Sequence, residues 1–297
     1  MCGIVGLYLK NSKLEPQLGS LLSKMLATMT DRGPDSAGFA VYGSDSHGVK
    51  LTLRGPGQAA LRKAISGVEE ALALTFEKTE RDTHTVISVP AEGEERIRAW
   101  LKDEAPSVDV VSAGRRMEIY KEVGLPAAVA ERFDLAGMTG THGIGHTRMA
   151  TESAVTTNGA HPFSTGIDEC LVHNGSLSNH NDMRRRLERE GLTFATKNDT
   201  EVAAGYLSWR MREGASLQQA LESSLSDLDG FFTFVVGTET GFAVVRDPIA
   251  CKPAVMAETD DYVAFGSEYR ALVGLPGIAS ARVFEPEPAK VYAWERH

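Results

Sequence analysis

Cys2 stands directly behind the initiating methionine, in Met1-Cys2-Gly3-Ile4-Val5-Gly6. Removal of Met1 would leave a thiol and a free α-amine on one Cα. A free α-amine has a pKa of about 7.7–8.0, so a large fraction of it is an unprotonated base at neutral pH. The thiolate is the attacking form, and a thiol with a pKa of about 8.5 needs only modest help to reach it. One residue would then supply nucleophile and base together, as an N-terminal threonine does elsewhere. Taken alone, the hexapeptide reads first as a start codon ahead of a buried strand with an inert cysteine. Gly3 and Gly6 are expected to leave room for a ligand.

Four other segments carry groups that would complete a site around such a terminus. Gly143-Ile144-Gly145-His146-Thr147-Arg148 is a glycine-bracketed strand ending in a lone arginine, with Thr151 three residues on. The planar fork of a guanidinium makes two parallel hydrogen bonds to a carboxylate. In Lys197-Asn198-Asp199-Thr200-Glu201, Asp199 either caps the helix that follows or complements an α-ammonium. The segment Cys170–Asn179 is a short apolar strand running into Asn174-Gly175. Asn-Gly is a strong hairpin signal; an Asn side-chain N–H and the next backbone N–H can also converge on one developing oxyanion. Asp31-Arg32-Gly33-Pro34-Asp35 is a loop fixed by Gly and Pro, carrying Arg32 either as a salt-bridged turn or as a cation beside Cys2. His142, His146 and His161 have no cysteine or carboxylate at zinc-like spacing, so structural imidazoles and no metal are expected. Cys170 reads as a small buried hydrophobe and Cys251 as structural.

These groups need a scaffold, and the hydrophobic periodicity supplies one. Ile4–Leu9 reads as a buried strand. A helix is expected from Pro16, with Leu18, Leu21, Leu22, Met25, Leu26 and Met29 on one face. Further strands are expected at Phe39–Tyr42, Met117–Val123, Phe231–Val236, Phe242–Val245, Ala254–Ala257, Tyr262–Phe265 and near Lys290–Trp294. Helices are expected at about 181–190, 202–212 and 216–228. The stretch from about 55 to 135 reads as a small inserted α/β subdomain with one solvated face. His84 and the charges of Glu92–Arg98 are read there as surface.

Composition narrows the function class. Net charge is −9, with no basic footprint for nucleic acid or an anionic membrane. No apolar run is long enough to span a bilayer, and no secretory leader is visible. Three cysteines without a CxxC pair suit a reducing cytoplasm.

In their order, Met1–Gly6, Arg32-Gly33-Pro34-Asp35, Gly145-His146-Thr147-Arg148 with Thr151, Asn158–Pro162, His173-Asn174-Gly175 and Asn198-Asp199-Thr200-Glu201 resemble the class II glutamine amidotransferases, enzymes of the N-terminal-nucleophile hydrolase type. The resemblance spans most of residues 1–297. It implies an α+β fold, a four-layer αββα sandwich with the 55–135 segment inserted. It implies Cys2 as nucleophile and base, Asn174 and Gly175 as the oxyanion hole, and Arg148 and Thr151 at the glutamine carboxylate. Asp199 would meet the α-ammonium, with Arg32 at the substrate site. The reaction implied is hydrolysis of L-glutamine to glutamate and ammonia through a thioester. The chain most resembles free-standing amidotransferase subunits of split glutamate-synthase-like systems, the N-methylglutamate synthase type included. That implies no cofactor in this chain, FMN in a synthase-like partner subunit, and a hetero-oligomer. A stand-alone amidase and a catalytically silent regulatory subunit are the alternatives.

Overall fold

The computed structural model describes residues 2–150 and 154–296. The chain opens with strand β1 (Gly3–Leu9), helix α1 (Leu18–Ala27) and β2 (Ser36–Tyr42). An excursion follows, of β3 (Val49–Arg54), α2 (Gln58–Leu72), β4 (Glu77–Arg81), β5 (His84–Val89), α3 (Glu94–Glu104) and β6 (Asp109–Gly114). The chain returns through β7 (Met117–Val123), α4 (Pro126–Arg132) and β8 (His142–Arg148). The second half runs β9 (Phe163–Gly166), β10 (Glu169–Leu177), α5 (His180–Arg189), α6 (Asp199–Arg212), α7 (Leu217–Asp227), β11 (Gly230–Gly237) and β12 (Gly241–Arg246). It closes with β13 (Val255–Glu258), β14 (Tyr262–Gly266), β15 (Arg282–Phe284) and β16 (Val291–Glu295).

Two antiparallel sheets carry the molecule. One has the order β15-β13-β14-β1-β8-β2-β7, the other β16-β12-β11-β10-β9. Period-two alternation assigns each strand face to a different layer. On β1, Val5, Leu7 and Leu9 meet α1 and α4, while Ile4 and Tyr8 point into the space between the sheets. On β12, Phe242 and Val244 fill that same space, while Ala243 and Val245 pack under α5, α6 and α7. The result is helix, sheet, sheet, helix: the expected four-layer α+β sandwich.

Gly6 corrects the expectation that its small size makes room for a ligand. A Cβ there would lie 2.7 Å from the Phe242 ring of the facing sheet. Gly3 is closed off in the same way by Met29 and Thr147, each 2.8 Å from a Cβ built on it. Both glycines let layers touch.

The inserted unit is shifted relative to 55–135, beginning earlier and ending earlier. Its own sheet, β4-β5-β3-β6, uses residues 49–114 and packs under α2 and α3. Met117–Val123 belongs instead to the main sheet, paired along β2 from Ser36↔Val123 to Tyr42↔Met117. Strand β4, Glu-Lys-Thr-Glu-Arg, alternates nothing apolar and is held at the sheet edge by β5, which is why periodicity does not find it. The buried Asp168 carboxylate joins the unit to the core by accepting the backbone N–H groups of Arg115, Arg116 and Met117 at 2.6–2.9 Å. His84 is not at the surface. It is fully buried, edge-on to Phe133 at 4.7 Å, and burial pushes its pKa down to about 3.

Because the Gly6–Phe242 contact sets the approach of the two sheets, Gly6→Val is expected to destabilise the fold by about 1–3 kcal/mol, the usual effect of overpacking. Denaturant titration measures it, and an unchanged midpoint would mean that this contact does not fix the sheet spacing.

Candidate active site

The registers of β1, β2, β8 and β10 bring the chemistry to one edge of the sandwich. β1 lies antiparallel to β8 with Gly3 opposite Thr147, so Cys2 sits beside the end of β8 that carries Arg148. Gly33 permits this closeness, since a Cβ there would stand 2.4–2.5 Å from the Thr147–Arg148 backbone.

Two side chains hold the Cys2 carbonyl. Arg32 donates from Nε at 3.0 Å and Asn174 from Nδ2 at 3.2 Å. Arg32 also donates from Nη1 to Glu268 at 2.7 Å. Glu268 in turn meets Arg270 at 2.7 Å, and Arg270 meets Asp31 at 3.0 Å. The hydrogen bond from Arg32 is the largest influence holding the Glu268 carboxyl below the ordinary carboxylate range. Ser267 fixes Ile4, two residues on, its Oγ accepting the Ile4 N–H and its own N–H donating to the Ile4 carbonyl, both at 2.9 Å. Arg32 therefore sits against the Cys2 backbone and, like Cys2 and Asn174, is not among the residues lining the cavity described below. Glu268 and Ser267 had no signal in spacing; from just past the end of β14 they reach Arg32 and Ile4.

Asn174-Gly175 is not a hairpin turn. Both residues lie inside β10, opposite Thr233 and Phe232. Gly175 has φ +153°, and a Cβ on it would fall 1.9 Å from the Phe231 carbonyl oxygen, so glycine is required for close approach. The strand then delivers the buried Asn174 amide to Cys2.

Arg148 and Asp199 face one cavity of about 360 Å³, walled by the turn at Thr156–Gly159 and the loop at Thr196–Asn198. Cys2 and Asn174 are not among its lining residues. Asn198, rather than Asp199, caps α6, accepting the Thr200 N–H at 2.8 Å. Asp199 is left to accept the Leu177 N–H at 3.0 Å, which ties the start of α6 to β10. The Thr200 hydroxyl bridges His161 Nε2 at 2.7 Å and His173 Nδ1 at 3.1 Å, so turn, helix and strand meet at one oxygen. Thr151, expected near Arg148, lies outside the described residues. A guanidinium and a carboxylate across a small cavity suit a zwitterion carrying both an α-carboxylate and an α-ammonium.

The histidines around this site are buried and neutral. His146 stacks on His161 at 4.0 Å between ring centroids, and burial is the first cause of the depressed pKa of His146, His161 and His173. Among the described residues no three His, Cys, Asp or Glu side chains are grouped to hold a metal ion.

The cysteines differ in access. Cys170 is buried against Tyr42, and burial pushes its thiol up to about 12. Cys2 is half-buried and Cys251 exposed. Iodoacetamide at pH 8 is therefore expected to alkylate Cys2 and Cys251 well before the buried Cys170. Peptide mass spectrometry gives the order, and comparable labelling of Cys170 would contradict its burial.

The comparisons agree with this architecture. Residues 146–274 match a glutamine amidotransferase domain family. The glutamine amidotransferase-like protein GlxB of Rhizobium meliloti is 63% identical over 302 residues, covering 99% of this chain and 98% of that protein. A glutamine–fructose-6-phosphate aminotransferase of Vibrio vulnificus is 34% identical over 151 residues, 51% of this chain and 24% of that enzyme. Among solved structures, the glutamine phosphoribosylpyrophosphate amidotransferase of B. subtilis aligns with TM-score 0.63 at 20% identity. It covers 99% of this chain, which spans 47% of that one, and it speaks for the fold alone. With the sandwich, the matched domain and a relative similar from end to end, the chain belongs to the class II glutamine amidotransferases.

Proposed function

We propose that the protein is the glutaminase subunit of a split amidotransferase, hydrolysing L-glutamine and passing ammonia to a synthase-like partner subunit. The observation that carries the first half is the pairing of a cavity bearing Arg148 and Asp199 with a Cys2 whose carbonyl is held by Asn174 at 3.2 Å.

Arg148 takes the α-carboxylate in its fork and Asp199 takes the α-ammonium. Bound by these two ends, the substrate presents its side-chain amide toward Cys2. After loss of Met1, the Cys2 α-amine accepts the thiol proton and Sγ attacks the amide carbon. The negative oxygen of the tetrahedral intermediate is met by the Asn174 side-chain N–H and the Gly175 backbone N–H. Collapse expels ammonia, which leaves with the proton held by the α-amine, and a γ-glutamyl thioester remains on Cys2. The same amine deprotonates water, which attacks the thioester and releases glutamate and the free thiol. Arg32, with Glu268 behind it, fixes the Cys2 backbone so that Sγ and amine keep their aim.

The second half rests on the sequence resemblance to split glutamate-synthase-like systems, the N-methylglutamate synthase type included. In this reading FMN belongs to the partner. The matched segment of the Vibrio vulnificus enzyme is only 24% of its length, which supports an amidotransferase unit serving further machinery. Three free cysteines fit a reducing cytoplasm. No helix among the described residues is long and apolar enough to cross a membrane.

Asn174→Ala removes one oxyanion donor and is expected to lower kcat about 10²–10³-fold with little change in KM. Arg148→Lys puts a point charge in place of a bidentate fork and is expected chiefly to raise KM. Steady-state glutaminase assays separate the two; an unchanged KM in Arg148→Lys would move the carboxylate site elsewhere. Glutaminase turnover is also expected to rise when chains that co-purify from the native cell are added back. Full activity unaffected by any of them would favour a stand-alone amidase, and no activity in either state a silent regulatory subunit.

A further inference from the structure

Strand β7 reads Met-Glu-Ile-Tyr-Lys-Glu-Val, and its alternation puts Lys121 on the inward face with Met117 and Ile119. The residue is only 7% exposed and forms no ion pair among the described residues. A buried ammonium without a carboxylate is costly unless its hydrogens are used. Here they go to one turn: Nζ donates to the carbonyls of Ala160 at 2.8 Å, Pro162 at 3.2 Å and Asn158 at 3.4 Å. The same turn is pressed onto β2 at Gly38, where a Cβ would lie 2.2 Å from the His161 carbonyl oxygen and 2.5 Å from the Lys121 Cβ. Phe163 places its ring 4.4 Å from the ammonium.

Asn158 and Gly159 of that turn line the cavity of Arg148 and Asp199. On its other side the turn borders a second cavity of about 360 Å³, between the inserted unit and the core, into which Lys121 and Glu201 project. Asn158 and Thr196 line both cavities. The wall between them is thus one thin layer of backbone. Glu201 secures the Thr196 side by accepting the N–H groups of Ala195 and Thr196 at 2.7 Å and the Thr196 hydroxyl at 2.6 Å. On the Asn158 side Lys121 gathers the carbonyls, while the Thr157 hydroxyl donates to Glu122 and His161 meets the Thr200 hydroxyl.

We propose that Lys121 is a positioning residue for the substrate cavity, its ammonium gathering three carbonyls of the 158–162 turn and so fixing the wall that Asn158 and Gly159 present to Arg148 and Asp199. This rests on the reading of that cavity as the glutamine site. It touches no reacting atom, so its loss acts on binding and leaves the Cys2 chemistry intact.

The protonated form does the holding. Three hydrogens match three carbonyls, whereas a neutral amine has two and leaves one buried acceptor unmet. Burial brings the Lys121 pKa down to about 8. The charged groups facing it are Glu201 on α6, Asp109 on β6 and Arg54 on β3, with Arg98 and Lys102 of α3 lining the same cavity and neutral His84 and His161 nearby. The turn is therefore held below pH 8 and loosened above it, and KM for glutamine should rise with pH through that range.

The test compares wild type, Lys121→Met and Lys121→Arg. Lys121→Met is expected to raise KM about tenfold or more with kcat within about threefold, and Lys121→Arg to recover most of the loss. From pH 7 to 8.5 wild-type KM should climb while that of Lys121→Met stays level, which also controls for titration of the substrate. Amide hydrogen exchange across residues 155–163 should quicken in Lys121→Met, with β1 and β10 unchanged. Unaltered KM and exchange, or parallel pH profiles, overturn the proposal. If Lys121→Met does not fold, the wild-type pH profile and Lys121→Arg decide. A wild type that hydrolyses no glutamine under any condition overturns the functional reading instead, and the exchange experiment still tests Lys121.

Discussion

The Cys2 carbonyl is gripped from two sides, and the site depends on that grip. Arg32 reaches it from the loop after α1 and Asn174 from the facing sheet. A residue at the very start of a chain ordinarily frays, because little of its backbone is bonded. Here the first strand lies between β8 and β14, and the carbonyl ahead of it takes two side-chain donors. One of them is charged and itself tied into Glu268, Arg270 and Asp31. Fixing the backbone at Cys2 leaves its thiol and amine few orientations, which is what a nucleophile of this kind needs. The arrangement in turn requires the sheets to sit at one spacing, and Gly6 against Phe242 sets it.

A second constraint acts on the amino-acid cavity. Its charges come from the end of β8 and the start of α6, elements of different layers. They share a cavity because small groups tie the edges together: the Thr200 hydroxyl between two neutral histidines, the Leu177 N–H on Asp199, and the carbonyl-gathering Lys121. Burial keeps those imidazoles uncharged, so among the described residues the formal charges lining the cavity are those of Arg148, Asp199 and Lys197. The inserted unit stands behind this wall, pinned by Asp168, and its sheet is separate from the two that hold the site.

Much of the sandwich was legible because one-face-in alternation on β1, β2, β11, β12 and β14 is a local pattern. Cys2, Arg148, Asn174, Gly175 and Asp199 were legible as candidates because their chemistry is written in residue type and immediate neighbours. What was hidden depends on contacts between distant segments. Arg32 was visible as a cation near the terminus, but its partner Glu268 lies 236 residues away, so its place against the Cys2 backbone was not. Gly3 and Gly6 look like space for a ligand until the opposing layer is present. Asn174-Gly175 satisfies a hairpin rule, yet the glycine answers to the Phe231 carbonyl across the strand. The limits of the insertion were misjudged because Met117–Val123 alternates as well in one sheet as in another. Lys121 did leave a trace, a lysine on the apolar face of a strand, and His84 left none.

The central claim is that Cys2, as the first residue, is the nucleophile of a glutamine-hydrolysing site. Intact and peptide mass spectrometry after treatment with an electrophilic glutamine analogue tests it most directly. The account predicts a chain beginning at Cys2 and carrying one equivalent of label on that residue, with labelling slowed by glutamate. An active preparation that retains Met1, or a label that falls on Cys251 or elsewhere while Cys2 stays free, would contradict it.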